Sequence, residues 1–221
     1  NYEFRLVGAL RPDALFHVLL RKTVDKVASG GGVSTRALIR KQTGDPVLMA
    51  SQSETTAPKF LTDAQPAGLP NLAELADRQR IPRTNYFLKR KYLTTSNGKN
   101  FVLSGLATQQ DYFDELDEHI AFPPLFTAAL ASCALLEKAW QSGYDFHADP
   151  VVYTTHQITV DRRLQASLRS NDRLHLLVDG PLAEQANEQQ AAMQTYHVFG
   201  LAAANAVLFS ARVQLARLQS D

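Results

Sequence analysis

Asp111, Asp114, Glu115, Asp117, Glu118 and His119 stand together just ahead of the clearest helix in the chain. A carboxylate held there could take a proton as a general base, and an imidazole beside it could assist. Asp114 is the first choice for the base and His119 for the helper; the alternative is a solvated acidic loop. A basic group lies upstream: Arg78, Arg80, Arg83, Lys89, Arg90 and Lys91. Such a run suits phosphate groups or an acidic protein surface, or forms a solvated face. Tyr86, Phe87 and Tyr92 are interleaved with it, a pattern nucleic acid could use, but 23 basic against 22 acidic residues leave a net charge of +1 and no global field for a polyanion. The single cysteine, Cys133, cannot form an internal disulfide or a thiolate zinc cluster, and it falls on an apolar stripe as a core residue does. His156, His175 and His197 sit in strand-like text. The six histidines show no HExxH spacing, so neither a metal nor a cofactor is expected. Gly30, Gly31 and Gly32 lack the lysine and following helix of a phosphate loop and read as a flexible connection.

These side chains need a scaffold, and 221 residues, 45% hydrophobic and 20% charged, suffice for an ordinary globular core. No apolar run reaches the about 18 residues that span a bilayer. The text opens in a strand at Asn1 without a Met or a signal-peptide pattern, and reads as a chain whose natural beginning lies further upstream.

Residues 33–41 alternate, with Val33, Thr35, Ala37 and Ile39 on one side and Ser34, Arg36, Leu38 and Arg40 on the other. A turn at Thr43-Gly44-Asp45-Pro46 and a second strand over 47–55 complete a hairpin. Residues 14–27 are read as a strand in preference to a helix. Residues 56–85 form a connector, with a short helix expected over 69–80. A strand over 86–94 and a polar loop with a helical turn over 107–119 follow. Pro123 and Pro124 then open a helix in which Phe126, Leu130, Cys133, Leu136 and Trp140 form one apolar stripe. Ala128, Ala129, Ala131, Ser132 and Ala134 make that helix thin enough for close packing, and Gly143 is its stop. Strands are expected over 151–160, 173–178, 194–201 and 207–216, with a polar excursion over 180–192. A weak repeat lays 172–179 on 13–20 and 207–215 on 47–55, both at an offset of about 160 residues. It places His17 and His175 at nearby positions.

The stretch GGVSTRALIRKQTGDPVLMASQSET resembles the second hairpin of double hot-dog acyl-CoA thioesterases and MaoC-like hydratases. FVLSG at 101–105 followed by AFPPLF at 121–126 resembles the MaoC-type lead into the central helix. The resemblance implies an α+β hot-dog, an antiparallel sheet wrapped around a central helix. The chain would then be a double hot-dog, with residues 1–80 the terminal strands of an incomplete first repeat plus connector and residues 81–221 a complete second repeat. The missing part of the first would come from a preceding segment or a second chain, because an uncovered sheet edge is costly.

By the same resemblance the substrate is an acyl thioester on coenzyme A or an acyl-carrier protein, in a cytoplasmic route of fatty acid or polyketide metabolism. The reaction is hydration or dehydration of a 3-hydroxyacyl group, or hydrolysis of the thioester. Pro124, Leu125, Phe126 and Ala129 would bind substrate where free helix N–H groups favour a developing thioester oxyanion, and Arg90 would contact the carrier. The hydratase signature departs here: its Asp, Asn and His positions fall on Leu106, Thr108 and Asp111. Leucine transfers no proton. A non-catalytic acyl-binding module partnering a catalytic subunit is therefore the second reading.

Overall fold

Alternating and near-continuous apolar text in the second half builds an antiparallel sheet buried on both faces. The structure, a computed structural model, describes residues 1–29, 32–60, 65–105, 107–114, 119–182 and 193–218. Strands β1 (Tyr2–Leu6), β2 (Phe16–Leu20), β3 (Val24–Asp25), β4 (Val33–Lys41) and β5 (Pro46–Glu54) come first, then β6 (Gln79–Arg80) and β7 (Phe87–Tyr92). Helix α1 (Thr95–Ser104) leads to a small ladder of β8 (Phe113–Asp114) and β9 (His119–Ile120). The central helix follows in two pieces, α2 (Phe126–Ala129) and α3 (Ala131–Gln141). The rest is β10 (Val151–Val160), α4 (Arg162–Ser167), β11 (Arg173–Asp179), β12 (Met193–Leu201) and β13 (Val207–Arg217).

The sheet order is β2-β4-β5-β1-β10-β13-β12-β11-β7-β6, with β3 beside β4 and every pair antiparallel. Outward from the β1–β10 junction the two sides run in matching order, β1-β5-β4-β2 and β10-β13-β12-β11. The inner face of the second side packs on α2 and α3: Leu174, Leu176, Val178, Phe209, Ala211 and Val213 join Phe126, Ala128, Ala131 and Ala134 in one core. Its outer face buries Leu88, Leu177, Phe199 and Leu201 under Leu72 and Ile81 of the connector. That double burial is why 174–178 is apolar throughout instead of alternating.

Three expectations change. The helix over 69–80 is absent; that segment is a series of turns ending in β6. The carbonyls of Leu72 and Leu75 take hydrogen bonds from the Arg90 guanidinium (3.0 and 2.8 Å) where a helix would need its own N–H groups. Helix α1 forms in text too weak in helix formers to predict one. It is capped by the Thr94 hydroxyl, which accepts from Asn97 N at 3.2 Å. The buried side of the central helix is also different. Ala128, Ala131, Ala134 and Leu135 face the core, while Leu136 and Trp140 are 48% and 68% exposed. The sheet wraps the helix so closely that only its small-residue side fits against it.

On the other side of the β1–β10 junction the register puts Phe16, Val18 and Leu20 on the inner face with Ala37, Ile39, Leu48, Ala50 and Phe4. Val18 and Leu20 are 55% and 73% exposed, so this part of the inner face is bare. Among the described residues no helix is long and apolar enough to cross a membrane.

Candidate functional site

The lead into the central helix is an aromatic cluster. Phe122 stacks on Phe126 at 5.4 Å, Phe113 meets Phe122 edge-on at 5.8 Å, and Phe101 lies 5.7 Å from Phe126. A polar staple holds the same segment. Thr127 is fully buried, and its hydroxyl donates to Gln165 Oε1 at 3.0 Å. Gln165, from α4, donates through Nε2 to the carbonyls of Phe122 (3.1 Å) and Pro123 (3.3 Å). Residue spacing carried no signal of this pair, because its members are 38 positions apart. Thr127→Val keeps the shape but strips Gln165 Oε1 of its donor, and is expected to cost about 2 kcal/mol in a urea titration. A loss below about 0.5 kcal/mol would show that the staple has no hold on the helix.

Of the site residues expected from the sequence, Asp114 and His119 are cross-strand neighbours, and Arg90 lies apart on β7. Asp114 is half-buried and its backbone pairs with that of His119 across β8 and β9. The His119 side chain, Glu115, Asp117 and Glu118 lie outside the described residues, as does Leu106. Phe126 is a core residue, Pro124 and Leu125 are half-buried, and Ala129 is exposed. The expected free N–H groups are partly used: Phe126 N donates to Pro123 O and Ala129 N to Leu125 O, both at 2.9 Å. Cys133 is half-buried. Arg90 is on the outer face, where its guanidinium secures the connector. Lys89 points the other way, to Asp77 at 2.9 Å and Glu137 at 3.9 Å. Lys89 and Arg90 are thus on opposite faces, and both are drawn into internal contacts.

What the inner face does offer is a groove of about 190 Å³ beside α3. Leu135, Leu136 and Ala139 form one wall, and Val151, Tyr153, Tyr196 and Leu215 form the other. Tyrosine hydroxyls mark its edges: Tyr153 donates to Ser132 Oγ (2.9 Å), Tyr196 to Gln194 Oε1 (2.9 Å) and Tyr144 to Asp149 O (2.7 Å). Burial, helped by Tyr144, raises the Tyr196 phenol above its ordinary value, so it stays a neutral donor. The His156 ring lies 4.6 Å from that of Tyr153, tilted by 57°, and burial lowers its pKa, leaving a neutral imidazole next to the groove. No acid is among the groove's described lining residues. The inward positions of Tyr153 and Tyr196 were the sequence signal for this groove, readable only once strand register is known.

No family model matches the chain, and no curated protein sequence matches it. Solved structures do resemble it. A MaoC-like dehydratase from Phytophthora capsici superposes with a TM-score of 0.56 at 14% identity, covering 100% of this chain and 71% of that one. An acyl-CoA thioesterase II from Mycobacterium marinum gives 0.53 at 14% identity, over 100% and 80%. A 12:0-ACP thioesterase from Umbellularia californica gives 0.56 at 9% identity, over 98% and 71%. The chain has a hot-dog fold.

Proposed function

We propose that this hot-dog chain handles acyl thioesters, with the acyl chain lying in the groove between α3 and the inner face of β10, β12 and β13. The groove carries the reading: it is narrow, apolar along its walls and polar at its edges, as a site for a flexible apolar chain ending in a polar group requires. The thioesterases and the dehydratase that share the fold support the substrate class. Hydrolysis suits the residues better than hydration, because Thr108 and Asp111 stand where the hydratase signature has Asn and His. Hydrolysis needs an oriented water, a base and an oxyanion site. Asp114, assisted by His119, is one base, and neutral His156 beside the groove is the other. The carrier is coenzyme A or an acyl-carrier protein.

The absence of an acid from the groove's described lining favours a second reading, a module that binds the acyl group for a catalytic partner. An acyl-CoA panel separates the two when thiol release and enoyl formation are followed together. Turnover should fall by about a hundredfold or more in Asp114→Asn or in His156→Phe, whichever removes the base. Ala139→Phe, which fills the groove, should abolish it. Turnover that survives Ala139→Phe would end the assignment of the groove. Protection against unfolding by acyl-CoA without turnover, lost in Ala139→Phe, would establish the binding module.

We also propose that residues 1–80 are the terminal strands of a first hot-dog unit with its connector and that residues 81–221 are a second unit. The matching strand order on either side of β1 and β10 supports this division. The bare inner face over Val18 and Leu20 would then be covered in the working protein, by a second chain or by sequence outside these 221 residues. A natural protein that sediments as a monomer and binds a hydrophobic dye on this face, as judged by loss of binding in Val18→Lys, would count against it.

A further inference from the structure

A cleft of about 710 Å³ opens at the end of the sheet where β11 begins, between the outer-face connector and α4, and shares no lining residue with the groove. Its floor is the start of β11. Its walls are the connector at 69–73, the exit of α4 at 164–168 and the turn between β12 and β13 at 202–205. The strand register puts His175 on this outer face between Arg90 and Leu201. His175 is 6% exposed, and its Nε2 is buried with no hydrogen-bond partner. A buried polar atom left without a partner needs an explanation, and a ligand is one.

Other polar groups around the cleft are unused as well. Among the described residues, the Arg173 guanidinium and the Asn205 amide make no side-chain hydrogen bond or ion pair. Ala204 and Asn205 both adopt left-handed backbone (φ 54° and 57°), a strained turn that presents Asn205 to the cleft. Burial, with the charges of Arg173 and Arg90, lowers the His175 imidazole to about 4 against a weaker upward pull from Asp77. It is therefore neutral at neutral pH, with one donor and one acceptor. Asp172 on the same wall already accepts from Arg169 N at 2.7 Å. Leu164 and Leu168 make the opposite side apolar.

We propose that this outer cleft binds a small amphipathic monocarboxylate, its carboxylate on Arg173 and Asn205 with the His175 imidazole as a third polar contact, and its apolar body against Leu164 and Leu168. One free guanidinium fork matches one carboxylate. A dianion such as a phosphate monoester would meet the Asp172 carboxylate on the same wall, and the nearby Arg90 guanidinium is already held by the carbonyls of Leu72 and Leu75. The site is separate from the acyl groove and stands whether or not the chain turns over thioesters.

Titration calorimetry with sodium octanoate tests this on the whole chain carrying Ala139→Phe, so that the groove is already filled. Octanoate should bind, and Arg173→Gln should weaken it by about tenfold or more. Arg173 is exposed, so that variant keeps the fold. His175→Phe, which fills the floor, should also weaken binding, and octanol and octyl phosphate should bind less well than octanoate. Octanoate affinity unchanged by Arg173→Gln, no binding at millimolar octanoate, or tighter binding of octyl phosphate would each overturn the proposal. Loss of acyl-CoA turnover in Ala139→Phe with octanoate binding intact would keep the two sites distinct.

Discussion

Asp77→Ala should cost about 3 kcal/mol of folding stability, because it leaves the buried Lys89 ammonium with only the longer Glu137 pair and no hydrogen-bonded carboxylate. Lys89 is only 5% exposed. Its Nζ lies 2.9 Å from Asp77 Oδ2, while Glu137 offers only a longer ion pair at 3.9 Å. The other Asp77 oxygen accepts from the Arg90 backbone N–H, so the same change frees the connector from the edge of the sheet. Burial works against the Asp77 charge, yet the hydrogen bonds from Arg90 and Lys89 outweigh it and hold the carboxyl below its ordinary 3.8. A depressed carboxyl stabilises the fold above its unfolded value and loses that contribution as the pH falls through its folded value. The gap between wild type and variant should therefore be full near neutrality and narrow as the pH drops below 3.8. Denaturant titrations at several pH values measure it. Adding Lys89→Met to Asp77→Ala should restore much of the loss, since the stranded charge is then gone. A deficit below about 1 kcal/mol, or no recovery in the double variant, would remove Lys89 from the account.

Gly200→Ala should be as damaging, through packing alone. Gly200 stands opposite Phe209 in the β12–β13 ladder, and the Phe209 ring lies across the place where a Cβ would project. Phe209 is 1% exposed within the core around the central helix, so the ring has no room to retreat. Overpacking of this kind costs about 3 kcal/mol when the neighbour cannot move. The unfolding midpoint in urea should drop at unchanged slope. Gly200→Ala with Phe209→Leu should be less destabilised than the sum of the two single variants, because the shorter side chain clears the new methyl group. Additive losses would mean the ring is not what makes glycine necessary there.

Most of the long strands and, in places, their faces were legible in the residue pattern. The alternation of Val33, Thr35, Ala37 and Ile39 against Ser34, Arg36, Leu38 and Arg40 is the division the β4 register produces, and β10, β11, β12 and β13 fall within a residue or two of where their text puts them. Alternation is written locally, since each strand residue meets core or solvent by its parity alone. The hot-dog likeness in 31–55 and 121–126 was legible for the same reason: turns and helix starts are short-range features.

Tertiary structure alone decided the rest. The connector over 69–80 is not a helix because Arg90, from β7, takes its carbonyls. Leu136 and Trp140 look outward because the sheet closes on the alanine side of α3, a choice between two plausible faces that only the neighbour makes. Thr127 meets Gln165, Tyr153 meets Ser132, and His175 meets an open cleft only after distant segments are brought together. Such contacts depend on which groups lie within about 3 Å of each other in the folded chain, and no local period or spacing encodes that.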